Sequence, residues 1–503
     1  MAAVTPAPVT TAGSVTAVLD DAVRATPHAP AVRDATGAWT YAELDTAARS
    51  VTHSLIRAGV RPGDRVALHS RNRRELPAVL FGAARAGAAL VPLSPHLPPA
   101  GLSSVLADAV PAALLAPADG RSALPTVDCP VISLEDAVSG PAQGSGPDAA
   151  SPDGTALLIY TSGSTAAPKG VVCPHRAVDF AARAIAARLD YRADDVILVG
   201  SPMSFDYGLY QILLSALAGA ELVLTDADDP IGMLRTLRAS RATVVPIVPS
   251  TARMLVRLAR RGEPPRHVRM FTNTGAALTA ADIEALRTTF PCSAVVSMYG
   301  ITECKRVTVA GPDADRERPG TVGTALPGTT VRILDEAGRP VGPGEPGRIV
   351  VSGPHVMSGY RGAPELTAER FDRDPESGEP RLHTGDYGHL DADGHLYFHG
   401  RRDDQFKRRG VRTSAIEIET AAAGVAGVRA AAALPPEGEY DLELAVVTDR
   451  SADAVLAGLR ELLEPGKVPA RCHLVEDLPL TPNGKTDKKR LRELVQPETG
   501  SAQ

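Results

Sequence analysis

The segment Thr161-Ser162-Gly163-Ser164-Thr165-Ala166-Ala167-Pro168-Lys169-Gly170 follows the apolar run Ala156–Tyr160 and combines hydroxyls, glycines and one cation. Hydroxyls, backbone N–H groups freed by glycine to turn toward an anion, and a terminal ammonium are the parts of a phosphate-binding loop. It is not a Walker A loop, because Pro168 precedes Lys169 and no Ser or Thr follows the lysine. A flexible Ser/Thr/Gly linker has a similar composition. The strand-like run before it and the Pro-Lys-Gly ending count against that alternative.

Lysine is scarce. The chain has 503 residues and 53 Lys+Arg, yet the sequence contains only 7 lysines, with none before Lys169. Arginine carries the ordinary solubilising charge, so each lysine invites a reason, since the two cations differ as chemical tools. The 59 Asp+Glu leave a net charge of −6, which gives no electrostatic case for nucleic acid as main partner. Five cysteines, an odd number with no Cys-x-x-Cys pair, read as reduced thiols. No charge-free apolar stretch reaches the roughly 18 residues of a membrane span. Residues 1–13 lack the basic and apolar regions of a signal peptide. The expectation is a soluble cytoplasmic protein without a membrane partner.

The elements that must position such a loop are legible upstream and downstream. Thr40-Tyr-Ala-Glu43 is a capping box, with Leu44, Ala48, Val51 and Leu55 following at helical spacing until Gly59. Val66–Leu68, Ala156–Tyr160, Val196–Val199, Leu222–Leu224, Val244–Val248 and Ala294–Met298 read as buried strands, separated by helical patterns such as Ala280–Phe290. That alternation predicts an α/β fold with substantially parallel sheets. Residues 136–154, rich in Gly, Ser, Pro and Ala, read as a surface loop. Between Gly320 and Gly400, short strands with Asp/Gly turns predict a β subdomain. The expected division is a large domain over 1–400 and a small α+β domain over 401–503.

At this point the chain resembles the adenylate-forming superfamily of acyl-CoA synthetases, luciferases and nonribosomal-peptide adenylation domains. The likeness rests on Thr161–Gly170, Met298-Tyr-Gly-Ile-Thr-Glu303, His383-Thr-Gly-Asp386, Gly400-Arg-Arg-Asp403-Asp-Gln-Phe-Lys407 and Leu480-Thr-Pro-Asn-Gly-Lys485, in family order over nearly the whole chain. The resemblance implies stacked sheets with helices in the large domain and a mobile C-terminal lid. It also implies two half-reactions. A carboxylate attacks the α-phosphate of ATP, and a thiol then takes the acyl group from the adenylate.

The resemblance also assigns residues. Thr161, Ser162, Gly163, Ser164, Thr165 and Lys169 hold the β/γ-phosphates, Thr302 meets the α-phosphate and Glu303 helps bind Mg²⁺. Tyr299 stacks on adenine, with Gly275, Ala276, Ala277, Ser297 and Gly300 around it. Asp386 takes the ribose hydroxyls with Arg401 nearby. Lys485 bridges the reacting carboxylate and phosphate oxygens, and Asp403 is the hinge. The family's glycine is replaced by Ala166, which has less access to φ > 0 and stiffens the loop.

For the substrate, the resemblance places Asp206 of Phe205-Asp206-Tyr207 against an ammonium group. A carboxylate among apolar residues is costly unless a cation joins it, so an aminated acid is expected; the alternative is a helix N-cap before Leu209–Leu217. The remaining walls are Tyr210, Pro246, Thr272, Thr274, Met298, Arg306 and Val307. Bulky Tyr210 and Met298 favour a small side chain such as that of alanine, glycine or serine. Arg306 could instead pair with the second carboxylate of an aspartate-like or β-amino acid, or with Glu303 or Asp206; the small neutral amino acid is the favoured reading. If its segment is a strand, Lys305 and Arg306 point to opposite faces. The thiol is expected on a separate phosphopantetheinylated carrier protein, with coenzyme A the alternative.

Overall fold

The computed structural model describes residues 13–142, 149–161, 169–226, 229–263, 265–401, 405–408, 411–437, 440–463, 465–481 and 484–496. Ser162, Gly163, Ser164, Thr165, Ala166 and Asp403 lie outside the described residues.

Two sheets organise the first 400 residues. One has six strands in the order Val131–Ser133, Ala113–Ala116, Arg65–His69, Ala89–Leu93, Thr155–Thr161, Lys169–Pro174. Its pairs are parallel except the last, a hairpin. The larger sheet has a parallel half built on Glu221–Leu224, Val196–Val199, Val244–Ile247, Met270–Asn273 and Ala294–Tyr299. It continues through Thr308–Val309 into the antiparallel strands Thr321–Ala325, His395–Arg401, Pro380–Leu390, Gly347–Ser352 and Thr330–Leu334. This is the expected β subdomain, joined edge-on to the parallel half.

Alternation along the central strands explains the layering. Ile197, Val199, Leu222 and Leu224 face a core shared with Val66, Leu68, Leu90 and Leu157 of the six-stranded sheet. The intervening Leu198 and Val223 face the opposite layer, under the helices Pro230–Ser240, Pro249–Ala259 and Ala280–Thr289. A strand apolar on both faces is what a covered parallel sheet requires. Between the sheets lie Val15–Ala25, Tyr41–Arg57, His175–Leu189 and Asp206–Ala218, whose buried faces join that shared core.

One expectation is corrected. Leu134–Ser139 is a short helix with Ser133 accepting from the Asp136 N–H, so the loop begins after it rather than at 136.

The described residues between 415 and 474 hold a three-stranded sheet, Val428–Leu434, Glu443–Thr448 and Arg471–Leu474, with the helices Ala415–Gly424 and Ala452–Leu462 packed on it. They have their own core around Ile418, Leu444, Val446 and Leu459. The ladder Gln405–Arg408 with Val411–Ser414 lies between them and the two large sheets along the chain. Contact is also direct, because the Ser250 hydroxyl donates to the Gly484 carbonyl at 3.3 Å.

The capping box closes as expected. Thr40 Oγ1 accepts from the Glu43 N–H at 3.3 Å and Glu43 Oε2 accepts from the Thr40 N–H at 2.7 Å. Thr40→Ala is expected to lower unfolding stability by about 1 kcal/mol while leaving catalysis unchanged. Denaturant titration beside an activity assay checks this.

Candidate active site

In open α/β sheets, ligands bind beyond the carboxyl ends of the strands. Thr272 and Thr274, then Gly275, lie at the end of Met270–Asn273; Ser297, Met298 and Tyr299 end the neighbouring strand. Pro246 lies near the end of Val244–Ile247, in register with Thr272. Asp206 opens the helix that follows Val196–Val199. Most of the predicted residues therefore gather along one edge of the parallel half.

The turn between Tyr299 and Thr308 supplies most of the remainder. The Val307 N–H returns to the Tyr299 carbonyl at 2.9 Å, and the Cys304 N–H bonds the Ile301 carbonyl at 3.1 Å. A side chain on Gly300 would collide with the Lys305 carbonyl oxygen, so only glycine fits there. Lys305 occupies the left-handed region at φ 62°. The segment is a turn and not a strand, so the condition under which Lys305 and Arg306 would face opposite sides is not met, and both side chains are buried.

Asp386 is 1% exposed and lies opposite Arg401 in the hairpin register. Its Oδ2 accepts from the Tyr299 hydroxyl at 2.6 Å, and Arg401 Nε lies 3.3 Å from Oδ1, which makes no hydrogen bond. The Tyr299 ring stacks against Phe398 at 5.4 Å. The phenol is thus tied to the carboxylate assigned to ribose, a role beyond the adenine stacking expected of it. Burial raises the Asp386 pKa against the opposing pull of Arg401.

Thr161 and Lys169 are register partners, so their hairpin closes the intervening segment at its base. Glu303 is half-buried, its Oε1 accepting from the Tyr360 hydroxyl at 2.6 Å. Lys485 sits in a tight turn in which the Thr481 N–H bonds the Lys485 carbonyl at 2.7 Å. That turn brings Lys485 Cε within 3.9 Å of the point where a Gly275 Cβ would stand. A lysine from the last twenty residues thereby reaches the strand-end edge of the large domain.

Around the residues predicted to line the acid pocket, a third charged side chain, Lys305, is buried besides Asp206 and Arg306. Asp206 is the first residue of its helix, with Phe205 as cap, and its Oδ2 lies 3.3 Å from Arg306 Nη1. Asp206 is therefore an ion-pair partner rather than a side-chain cap. The Arg306 guanidinium lies 4.9 Å over the Tyr207 ring, and the Tyr207 hydroxyl donates to the Thr272 carbonyl at 2.6 Å. Burial pushes the Tyr207 phenol up to about 12. Lys305 is 0% exposed, with its Nζ 3.5 Å from the Cys173 thiol and 5.7 Å from the Tyr210 ring centroid. Among the described residues no carboxylate lies within ion-pairing distance of it. Tyr210 and Thr274 each bury a hydroxyl with no hydrogen-bond partner among the described residues. Met298 and Val307 are buried, the latter in the β subdomain's core.

Sequence reasoning gave Lys305 and Tyr360 no role in the site. The lysine scarcity was a usable signal for Lys305, the one lysine among the described residues that is buried.

Comparison with known proteins now decides the family. A profile of AMP-binding enzymes matches residues 19–361. The chain belongs to the AMP-binding enzyme family. Its relatives include nonribosomal-peptide synthetases and CoA synthases, which places it in the adenylate-forming superfamily. It is 34% identical over 497 residues to phosphinothricin tripeptide synthetase PhsC of Streptomyces viridochromogenes, covering 94% of this chain but 44% of that protein. The chain thus spans less than half of that relative's length. It is 33% identical to feruloyl-CoA synthase of an Amycolatopsis species, covering 93% and 96% of the two. The structure of VinN with L-aspartate matches with a TM-score of 0.70 and 45% identity, over 78% of this chain and 99% of that one. VinN is also known in complex with 3-methylaspartate. No helix among the described residues of this AMP-binding enzyme is long and apolar enough to cross a membrane.

Asp386 offers a test of the site's electrostatics. A carboxyl whose pKa is raised by folding stabilises the fold only while protonated, so its contribution is full below the carboxylate range and falls as pH rises through the folded pKa. Asp386→Asn is expected to raise the unfolding midpoint at neutral pH, to lose that advantage in acid, and to weaken nucleotide binding. Melting curves across pH, with nucleotide titration, check the trade.

Proposed function

We propose that this enzyme adenylates an amino acid carrying a second carboxylate, of the aspartate class, and passes the acyl group to the phosphopantetheine thiol of a separate carrier protein. The observation that carries this reading is the charge around the acid pocket: one carboxylate, Asp206, pairs with buried Arg306, while the buried Lys305 beside Tyr210 has no ion-pair partner among the described residues. A buried cation without a counter-ion is costly. The three groups leave one positive charge over, and a zwitterion with a second carboxylate carries one negative charge. A neutral amino acid such as alanine leaves that excess unmet. The likeness to VinN, captured with L-aspartate, supports the same class.

In this reading the substrate ammonium displaces part of the Asp206–Arg306 pair and bonds Asp206. Its second carboxylate takes Arg306 and Lys305, leaving the reacting carboxylate aimed at the strand-end edge. Asp386 and Arg401 fix the ribose, Lys169 and the loop beside it hold the outer phosphates, and Thr302 meets the α-phosphate. Lys485 neutralises charge passing between the carboxylate and the α-phosphate oxygens. Phosphoryl chemistry of this kind depends on positioning and electrostatic stabilisation more than on covalent help. Glu303 suits Mg²⁺, a hard cation that prefers carboxylate oxygens. Among the described residues no protein group bonds its Oε2. Bound there, the ion would shield the phosphates. The 401–503 unit acts as a lid turning about Asp403 between the half-reactions.

Pyrophosphate exchange into ATP is expected with aspartate-like acids and to be weak with alanine, glycine, serine and fatty acids. Arg306→Met and Lys305→Met should each lower exchange with the aspartate-like acid by roughly 10²-fold, the scale of an unpaired buried charge. Asp206→Asn should weaken amino-acid binding far more than ATP binding. Equal exchange with alanine and aspartate in the wild type would overturn the assignment. Lys485→Ala should reduce adenylation roughly 10²–10³-fold. Offering coenzyme A and a holo carrier protein as rival acceptors decides the second half-reaction.

A further inference from the structure

The sequence motifs end at Glu303 and resume at His383, yet the segment between them sends a further side chain, besides Lys305 and Arg306, into the site. Met357–Arg361 runs as a strap between two parts of the phosphate machinery. On one side it pairs with the strand leaving the phosphate segment. The Ser358 N–H bonds the Val172 carbonyl at 3.0 Å, the Val172 N–H the Gly359 carbonyl at 2.9 Å, and the Arg361 N–H the Gly170 carbonyl at 2.8 Å. On the other side the Met357 N–H bonds the Glu303 carbonyl at 2.9 Å, and the Tyr360 hydroxyl donates to Glu303 Oε1 at 2.6 Å. Tyr360 is itself held. Its N–H bonds Thr367 Oγ1 at 3.0 Å, and its ring meets Phe371 edge-on at 5.5 Å.

We propose that Tyr360 is a positioning residue that locks the Glu303 carboxylate by one oxygen and so aims the other at the cation bound with ATP. The proposal rests on the reading of Glu303 as a metal ligand. A carboxylate with two free oxygens rotates between one-point and two-point binding. With Oε1 bonded to a buried phenol, one oxygen remains for the ion, which suits a small cation that binds through few protein ligands and keeps its waters. Because the same strap is hydrogen-bonded to residues 170–172, the carboxylate and the outgoing end of the phosphate loop share one rigid support. A loss of this bond therefore weakens metal binding without touching the amino-acid pocket. The alternative is a purely structural bond whose loss lowers stability alone.

Tyr360→Phe keeps the ring packing and removes only the hydroxyl. In the full chain with a non-hydrolysable ATP analogue, Mn²⁺ binding followed by electron paramagnetic resonance is expected to weaken roughly tenfold, the scale of one hydrogen bond to a charged group. In pyrophosphate exchange, the Mg²⁺ concentration for half-maximal rate should rise similarly. The KM for the amino acid should stay constant and kcat should recover at high Mg²⁺. Unchanged Mn²⁺ affinity, or a uniform fall in all parameters with a lower melting temperature, would overturn the positioning role. Glu303→Gln is the control for the underlying reading. If it binds Mn²⁺ as tightly as the wild type, the metal assignment fails whatever Tyr360→Phe does. If Tyr360→Phe does not fold, Thr367→Val, which loosens Tyr360 through its backbone, must show a smaller shift of the same sign; no shift overturns the proposal.

Discussion

The active edge depends on one tight reversal of the chain. Between Tyr299 and Thr308 the backbone folds back so closely that no side chain fits at residue 300, where the Lys305 carbonyl fills the space. That closeness puts Thr302, Glu303, Lys305 and Arg306 within a few residues of each other while sending them in different directions. A looser turn would separate the Glu303 carboxylate from the Lys305 and Arg306 cations. Lys305 accepts the left-handed conformation as part of the same geometry, an arrangement that costs free energy and persists where surrounding structure enforces it.

Charge burial is the second theme. Asp386 and Asp206 each sit against an arginine, but in different settings. Arg401 is largely exposed, so it compensates Asp386 weakly and burial keeps the upper hand. Arg306 is itself buried and braced over the Tyr207 ring, whose hydroxyl is anchored to Thr272. The first pair leaves a carboxylate oxygen without a hydrogen bond among the described residues; the second is neutral, and the neighbouring Lys305 leaves surplus positive charge. Each imbalance is of the kind that a ligand can complete, and the two differ in the sign of ligand they invite.

Much of this could be read in advance. The capping box at Thr40–Glu43, the buried strand runs and the helix over Ala280–Thr289 follow local rules, because short-range hydrogen bonds and alternating apolar side chains specify them. Spacing alone said little about the turn after Tyr299. Whether Lys305 and Arg306 lie on a strand was open in the sequence, because the close approach at Gly300 is a contact between residues five apart whose geometry no propensity encodes. The short helix Leu134–Ser139 was missed for a similar reason: its burial against the helix Tyr41–Arg57 outweighs a polar, loop-like neighbourhood.

The sequence by itself determined the family and the order of the chemical parts, because hydroxyl-rich loops, the Thr302–Glu303 pair and a late lysine must be present as residue types before any fold can use them. Tertiary structure decided which of these meet. Lys485 reaches Gly275 only when the small domain docks, Tyr299 spends its hydroxyl on Asp386, and Tyr360 joins Glu303 across more than fifty residues. Lys305 was an ordinary lysine in the sequence. Only its enclosure by Cys173 and Tyr210, with water excluded and no carboxylate in reach among the described residues, turns that one charge into a constraint on what the pocket can hold.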